Sequence, residues 1–246
     1  MVTLVGAGGK TTLMFALARH LAARGASVLT TTTTKIQLPT QTQSSLLLDT
    51  RHAEDLLAQI DRLDPLPNHL TALAPVQDSP QKRTGLSPSD IDALAASGRF
   101  RWILVEGDGA ARKPLKAPAE HEPVIPASSG HVIVVAGMDG IGSPLDEAHV
   151  HRARRFAELG RLALGEAVTS EALARVLIHP RGGLKGVPDG ARIRVFLNKT
   201  DSRPRRAAAE AVAAQIVKGA GRRLAVVMGA ALLERADWFG RPPCNS

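Results

Sequence analysis

Residues 4–13 read "LVGAGGKTTL", and the fold class follows from them. A short apolar lead, "MVTLVG", runs into Gly6, Gly8 and Gly9 and then into Lys10, Thr11 and Thr12. Leu13, Leu17 and Leu21 then recur at helical spacing, and Gly25 stops the pattern. The order is strand, glycine loop, helix. In such a loop the glycines let backbone N–H groups converge on an anion, and the helix start adds its positive end. Lys10 would reach the outer phosphates, Thr11 would offer its hydroxyl to Mg²⁺, and Thr12 would continue the binding turn. The spacing is G-x-x-G-K-T-T and not G-x-x-x-x-G-K-[ST], because Leu4 stands where the first glycine would be. The ligand expected is GTP or ATP with Mg²⁺. A strand that ends in a phosphate loop is normally central, and so little chain leads into this one that a natural start upstream of Met1 is expected.

Working outward, apolar strands alternate with helices along most of the 246 residues. "ASVLTTTTTKI" is a β-branched strand, and "FRWILVEGDGAA", "GHVIVVAGMDG", "ARIRVFLNKTD" and "RRLAVVMGA" are four more. The alanine-rich "RPRRAAAEAVAAQIVKG" is a helix between the last two. The pattern predicts a three-layer α/β P-loop NTPase fold: a mainly parallel sheet covered by helices on both faces, with ligands at the carboxyl ends of the strands. No linker divides the chain, so residues 1–246 are expected to form a single nucleotide-binding domain. From about Leu38 to Gly98, short apolar runs mix with prolines and polar turns, and no clear order emerges.

Composition narrows the class further. The longest apolar runs are too short to cross a bilayer, and no signal peptide opens the chain, so a cytoplasmic protein without a membrane partner is expected. A net charge of +8 is carried by dispersed arginines, while tyrosine is absent and aromatics make up 3%. Nucleic acid is therefore not the expected partner, and the charge suits an anionic small ligand or an acidic protein. The single cysteine, Cys244, is read as a free thiol in the tail.

Two strand ends supply candidate chemistry. "WILVEGDG" places Glu106 and Asp108 two residues apart, where a phosphate-loop enzyme needs a carboxylate for its metal. Glu106 is assigned to the metal shell with Thr11. Asp108 is either a second metal contact or the residue that orients an attacking water, and Lys10, Glu106 and Asp108 are the catalytic candidates. "FLNKTD" places Asn198, Lys199 and Asp201 in the N-K-x-D pattern of guanine recognition. There a carboxylate accepts from N1 and N2 of the base, the lysine stem covers the ring, and the asparagine ties the loop and reads the N7/O6 edge. The simpler alternative is a turn in which Asp201 caps the next helix.

Three further blocks could bind substrate. The proline-rich run from Asp108 to Pro126 carries Arg112, Lys113 and Lys116, which could hold the γ-phosphate side or an anionic substrate. "DEAHVHR" sets His149 and His151 at alternate positions, where they are either solvated or share a metal. "HPRGGLKG", with Gly182, Gly183 and Lys185, is either a second anion-binding turn or a plain glycine turn.

Taken in order, "VGAGGKTT", "TTTTKI", "VEGDGAARKPLKAPAEHEPVIP", "PLDEAHVHR", "HPRGGLKGVP" and "LNKTD" resemble the YqeC family. Its members are described as selenium-dependent molybdenum hydroxylase accessory proteins or selenium cofactor biosynthesis proteins. The resemblance implies a maturation role, with a molybdenum or selenium cofactor, or its apo-hydroxylase, as partner. By analogy with nickel-insertion GTPases, a slow NTPase would drive delivery. Two alternatives stay open. One is an ATP-dependent transferase or ligase acting on a cofactor precursor, since the phosphate loop also resembles that of the Mur ligases. The other is a non-hydrolysing binder of phosphorylated molybdenum cofactor.

Overall fold

The computed structural model describes residues 1–75, 82–220, 224–233 and 235–239; Cys244 lies outside them. In chain order the strands and helices are β1 (Val2–Gly6), α1 (Lys10–Ala22), β2 (Val28–Thr32), β3 (Lys35–Gln37), β4 (Leu47–Asp49), α2 (Ala53–Ile60), β5 (His69–Leu73), β6 (Lys82–Thr84), α3 (Pro88–Ala96), β7 (Trp102–Glu106), β8 (Leu115–Lys116) and β9 (His131–Gly137). There follow β10 (Val150–His151), α4 (Ala153–Gly160), α5 (Ser170–Ile178), β11 (Arg192–Asn198), α6 (Arg203–Ala220), β12 (Ala225–Ala230) and β13 (Arg235–Phe239).

Nine strands form one sheet in the order β13-β12-β11-β9-β1-β7-β2-β5-β4. All its neighbours run parallel except β12 and β13, which are antiparallel. The first strand therefore sits at the centre, between β7 and β9, with Leu4 opposite Glu106 on one side and Ile133 on the other. Burial on both faces explains why these strands read as continuous apolar runs.

The helices are shared unequally between the faces. Leu13, Met14 and Phe15 of α1 pack on Leu4, Leu104, Val135 and Phe196. On the opposite face α4, α5 and α6 cover β9, β11 and β12, while α2 and α3 cover β2, β5 and β7. The three-layer α/β architecture is as expected, with one helix on the face that carries the phosphate loop's own helix and five on the other. Among the described residues no helix is long and apolar enough to cross a membrane.

Two expectations need correcting. The threonine-rich strand stops at Thr32, and Lys35–Gln37 turns away to pair antiparallel with Lys82–Thr84. The cause lies in the hydroxyls: Thr32 donates to Glu106 O at 2.7 Å and Thr33 to Val124 O at 2.8 Å, which binds the strand end sideways into its neighbours. The unread region 38–98 holds α2 and α3. Helix α3 starts from Ser87, whose hydroxyl accepts from the Asp90 N–H, with Pro88 just inside.

Candidate functional site

The parallel strands end on one edge of the sheet, and three of those ends, β1, β7 and β11, bring the predicted residues together. The loop after β1 passes so close to its neighbours that side chains are excluded. A Cβ on Gly8 (φ +79°) would lie 2.2 Å from Gly137 N, and one on Gly9 (φ +124°) would lie 2.3 Å from Asn198 Nδ2. Gly9 caps α1 without any side-chain bond to the helix, and the first turn contains no acid. The N–H groups of that turn, which have no intrahelical acceptor, are thus left to an outside anion. Thr12 lies half-buried within the turn.

Lys10 is 4% exposed and is turned back onto its own loop. Its Nζ donates to Gly6 O at 2.7 Å and lies 3.3 Å from Asp108 Oδ1 and 3.6 Å from Glu106 Oε1. Burial would lower its pKa, but the two carboxylates outweigh it and raise the pKa above the usual lysine range. Thr11 Oγ1 donates to Glu106 Oε2 at 2.6 Å, so the hydroxyl and carboxylate predicted for a metal do meet. Burial pushes the Glu106 carboxyl above its ordinary range, against the pull of Lys10. The Thr11 hydroxyl and Glu106 carboxylate are adjacent hard oxygen donors of the kind that could hold Mg²⁺.

Asp108 is placed differently from either role expected of it. It is 1% exposed, and both oxygens accept from Gly6 N–H, at 3.1 and 3.2 Å. Lys116 Nζ sits 2.7 Å from its other side. Its lone pairs are used by the loop and by two lysines, which leaves it a buried counter-ion and not a free carboxylate at a metal or water. Lys116 is correspondingly not open to substrate: it also pairs with Glu122 at 2.8 Å and donates to Gly109 O at 2.6 Å. Glu122 in turn meets Arg152 at 2.7 Å. A ladder of alternating charge, Lys10, Asp108, Lys116, Glu122, Arg152, so runs from the phosphate loop to the start of α4. Burial alone would raise the Glu122 pKa, but Lys116 and Arg152 hold it at about 2.

The segment after Asp108 lies over the phosphate loop. Gly8 N–H donates to Lys113 O and Gly137 N–H to Pro114 O, and Ala111 and Arg112 reach these contacts through left-handed φ of 47° and 61°. Arg112 is exposed there. Lys113 is taken by the next motif, donating to Glu147 O, while Glu147 accepts from Ala153 N–H at 2.7 Å and caps α4.

The third strand end carries Asn198, 3% exposed. Its Nδ2 donates to Gly8 O at 2.8 Å, and its Oδ1 accepts from Lys199 N–H and Ala231 N–H, each at 2.9 Å. The expected tie to the loop is present. Lys199, at φ 65°, holds Asp139 at 2.6 Å. Helix α6 begins at Arg203, so Ser202 and not Asp201 precedes it; the Asp201 carboxylate is 40% exposed and lies 3.5 Å from Arg205.

The remaining candidates do not join this cluster. His149 sits in a turn, bonded to Asp146 at 2.8 Å, whereas His151 is in β10, and the two share no strand face. No group of three His, Cys, Asp or Glu suited to a metal occurs among the described residues. In "HPRGGLKG" the glycine amides are spent on α5: Gly182 N–H donates to His179 O and Gly183 N–H to Val176 O. The turn ends a helix and offers no anion nest. Lys185 donates to Ala119 O at 2.6 Å and to Glu120 O, which staples this turn to the proline-rich segment.

Sheet order, glycine loop and the three converging strand ends define a phosphate-loop protein of the three-layer α/β class. The family model described as "YqeC protein" matches residues 2–154. A curated relative from Escherichia coli (strain K12), "Uncharacterized protein YqeC", is 35% identical over 206 residues, covering 81% of this chain and 75% of its own. The chain belongs to the YqeC family. Among solved structures, chloroplast FtsY from Physcomitrella patens is 14% identical with a TM-score of 0.47, over 97% of this chain and 61% of that one. The MinC:MinD cell division protein complex of Aquifex aeolicus is 14% identical with a TM-score of 0.42, over 92% and 80% respectively.

Proposed function

We propose that this protein binds a Mg²⁺–nucleoside triphosphate, with guanine preferred, and hydrolyses it slowly as an accessory factor in cofactor maturation. The observation that carries the proposal is the 2.8 Å bond from Asn198 to Gly8 O, which makes the N-K-x-D segment and the phosphate loop one unit. A base read by Asp201 then has its phosphates at the N-terminus of α1. The exposed Asp201 carboxylate can accept from both N1–H and N2–H₂ of guanine, donors that adenine does not pair in this way.

Lys10 would exchange Gly6 O, Glu106 and Asp108 for the outer phosphates. Thr11 and Glu106 would hold Mg²⁺, which supplies charge neutralisation at the phosphate oxygens. Arg112, exposed on the segment bonded to Gly8, is the candidate for the γ-phosphate side. Slow turnover is expected, because both oxygens of Asp108 are committed and a partner would have to complete the site. The cargo, a molybdenum or selenium cofactor or its apo-hydroxylase, rests on the motif resemblance alone, as does a cytoplasmic location on the composition.

Product analysis with γ-labelled nucleotide tests this. GTP converted only to GDP and phosphate, with the guanine preference lost in Asp201→Ala, supports the proposal. A phosphorylated or ligated product, or ATP bound as well as GTP, would replace it with an ATP-dependent transferase.

A further inference from the structure

Arg152 and Arg155 stand three residues apart at the start of α4, and their surroundings differ. Arg152 meets Glu122 at 2.7 Å. Arg155 is half-buried, its Nε is shut off from water without a hydrogen-bond partner, and no carboxylate among the described residues pairs with it. Taking a guanidinium N–H out of water with nothing to receive it is unfavourable, and native folds seldom leave such a group without a purpose. Lys185 lies close to it. The Lys185 Nζ donates to Ala119 O at 2.6 Å and to Glu120 O, two carbonyls that bond the ammonium without neutralising it. Burial and then Arg155 lower its pKa, against the opposing pull of Glu120 and Glu122. Glu122 itself is buried and already pairs with Lys116 at 2.8 Å and with Arg152 at 2.7 Å.

Neither cation sits on a loose support. Phe156 and Leu159 seat α4 in the core. The turn that carries Lys185 packs so tightly on α5 that a Cβ on Gly182 would lie 2.2 Å from Val176 O and one on Gly183 2.3 Å from Leu177 O. Two like charges are therefore held near each other by rigid attachments, which lowers stability until an anion joins them. After its two carbonyls Lys185 keeps one N–H, and Arg155 keeps its guanidinium donors. This excess of positive charge matches a phosphate group, which is close to dianionic at neutral pH and accepts from several donors at once. We propose that Arg155 and Lys185 bind the phosphate group of a second ligand, separate from the nucleotide. Asp108, Lys116 and Glu122 stand in the ladder between Lys10 and α4, so this site is not an extension of the phosphate loop. It holds whether or not the nucleotide reading is right.

The test is titration calorimetry of the full chain with inorganic phosphate and, separately, with glycerol phosphate, without nucleotide. The variants are Arg155→Gln, Lys185→Gln, Lys10→Ala to disable the phosphate loop, and Arg154→Gln, which removes an exposed neighbouring charge. Phosphate should bind saturably to the parent, to Lys10→Ala and to Arg154→Gln alike. Arg155→Gln and Lys185→Gln should each weaken it at least tenfold, since each removes a charged donor to the anion. Without ligand, Arg155→Gln should unfold at a midpoint no lower than the parent's, because it relieves the repulsion of Lys185. Tighter binding of glycerol phosphate supports a phosphate ester as the ligand, and tighter binding of inorganic phosphate supports the free anion. Equal affinity in the parent and Arg155→Gln overturns the site, as does binding lost in Lys10→Ala but kept in Arg155→Gln. Failure of the parent to bind either probe also overturns it. The nucleotide reading is judged by GTP alone, so the two can fail separately.

Discussion

Replacing Asn198 with alanine removes three hydrogen bonds at once, to Gly8 O, Lys199 N and Ala231 N, of which the first and last are buried. A buried polar group left without a partner costs about 1–3 kcal/mol. Lys199 N is only partly buried and can recover a water, so the low end applies to it. The sum comes to about 3–7 kcal/mol, a large part of a typical domain's stability. Urea unfolding followed by circular dichroism reads this as a lower midpoint at unchanged slope. Asn198→Asp sharpens the test: it retains both acceptor bonds but sets a carboxylate against the Gly8 carbonyl. It should lose a similar amount and weaken nucleotide binding at least tenfold. A loss below about 1 kcal/mol in Asn198→Ala, with nucleotide affinity unchanged, would refute the claim that this residue couples β11 to the phosphate loop.

Gly8→Ala forces a methyl against Gly137 N at 2.2 Å in a left-handed backbone, and should cost about 2–4 kcal/mol and abolish nucleotide binding in a thermal-shift titration. Glu122 titrates at about 2 in the fold against an ordinary 4.5, so its contribution is complete above pH 4.5 and is lost as pH falls toward 2. The stability gap between the parent and Glu122→Gln should accordingly narrow over that range, by up to about 3 kcal/mol in urea unfolding at stepped pH. Buried His69, bonded to Thr30 at 3.1 Å, is held near pKa 4 by burial and then by Arg19. The unfolded chain takes up the proton first, so stability should fall as pH drops from 6.5 to 4, by up to about 3 kcal/mol, and His69→Gln should flatten that slope.

The central sheet was legible because each of its principal strands is buried on both faces and is bounded by glycines or acids. The helices α2, α3, α4 and α5 were not read, although α2, α4 and α5 are amphipathic. They span only eight or nine residues each and depend on tertiary packing more than on their own turns. Two had local signals that could have found them: Ser87-Pro88 with Asp90, and Thr169, whose hydroxyl accepts from the Ala172 N–H. At the site, Lys10, Thr11, Glu106 and Asn198 were legible from motif spacing. The charge ladder was not. Ion pairs such as Lys116 with Asp108, or Arg152 with Glu122, join segments through tertiary folding, and nothing in the local spacing of a lysine says whether it faces water or a carboxylate.

The most direct test of the central claim, that the loop at Gly6–Thr12 holds the phosphates of a nucleotide, is calorimetric titration of the parent chain and Lys10→Ala with GTP and ATP in Mg²⁺. Saturable binding of GTP, weaker binding of ATP, and a loss of at least tenfold in Lys10→Ala are predicted. Equal affinity in the parent and Lys10→Ala, or no heat with either nucleotide, would contradict it.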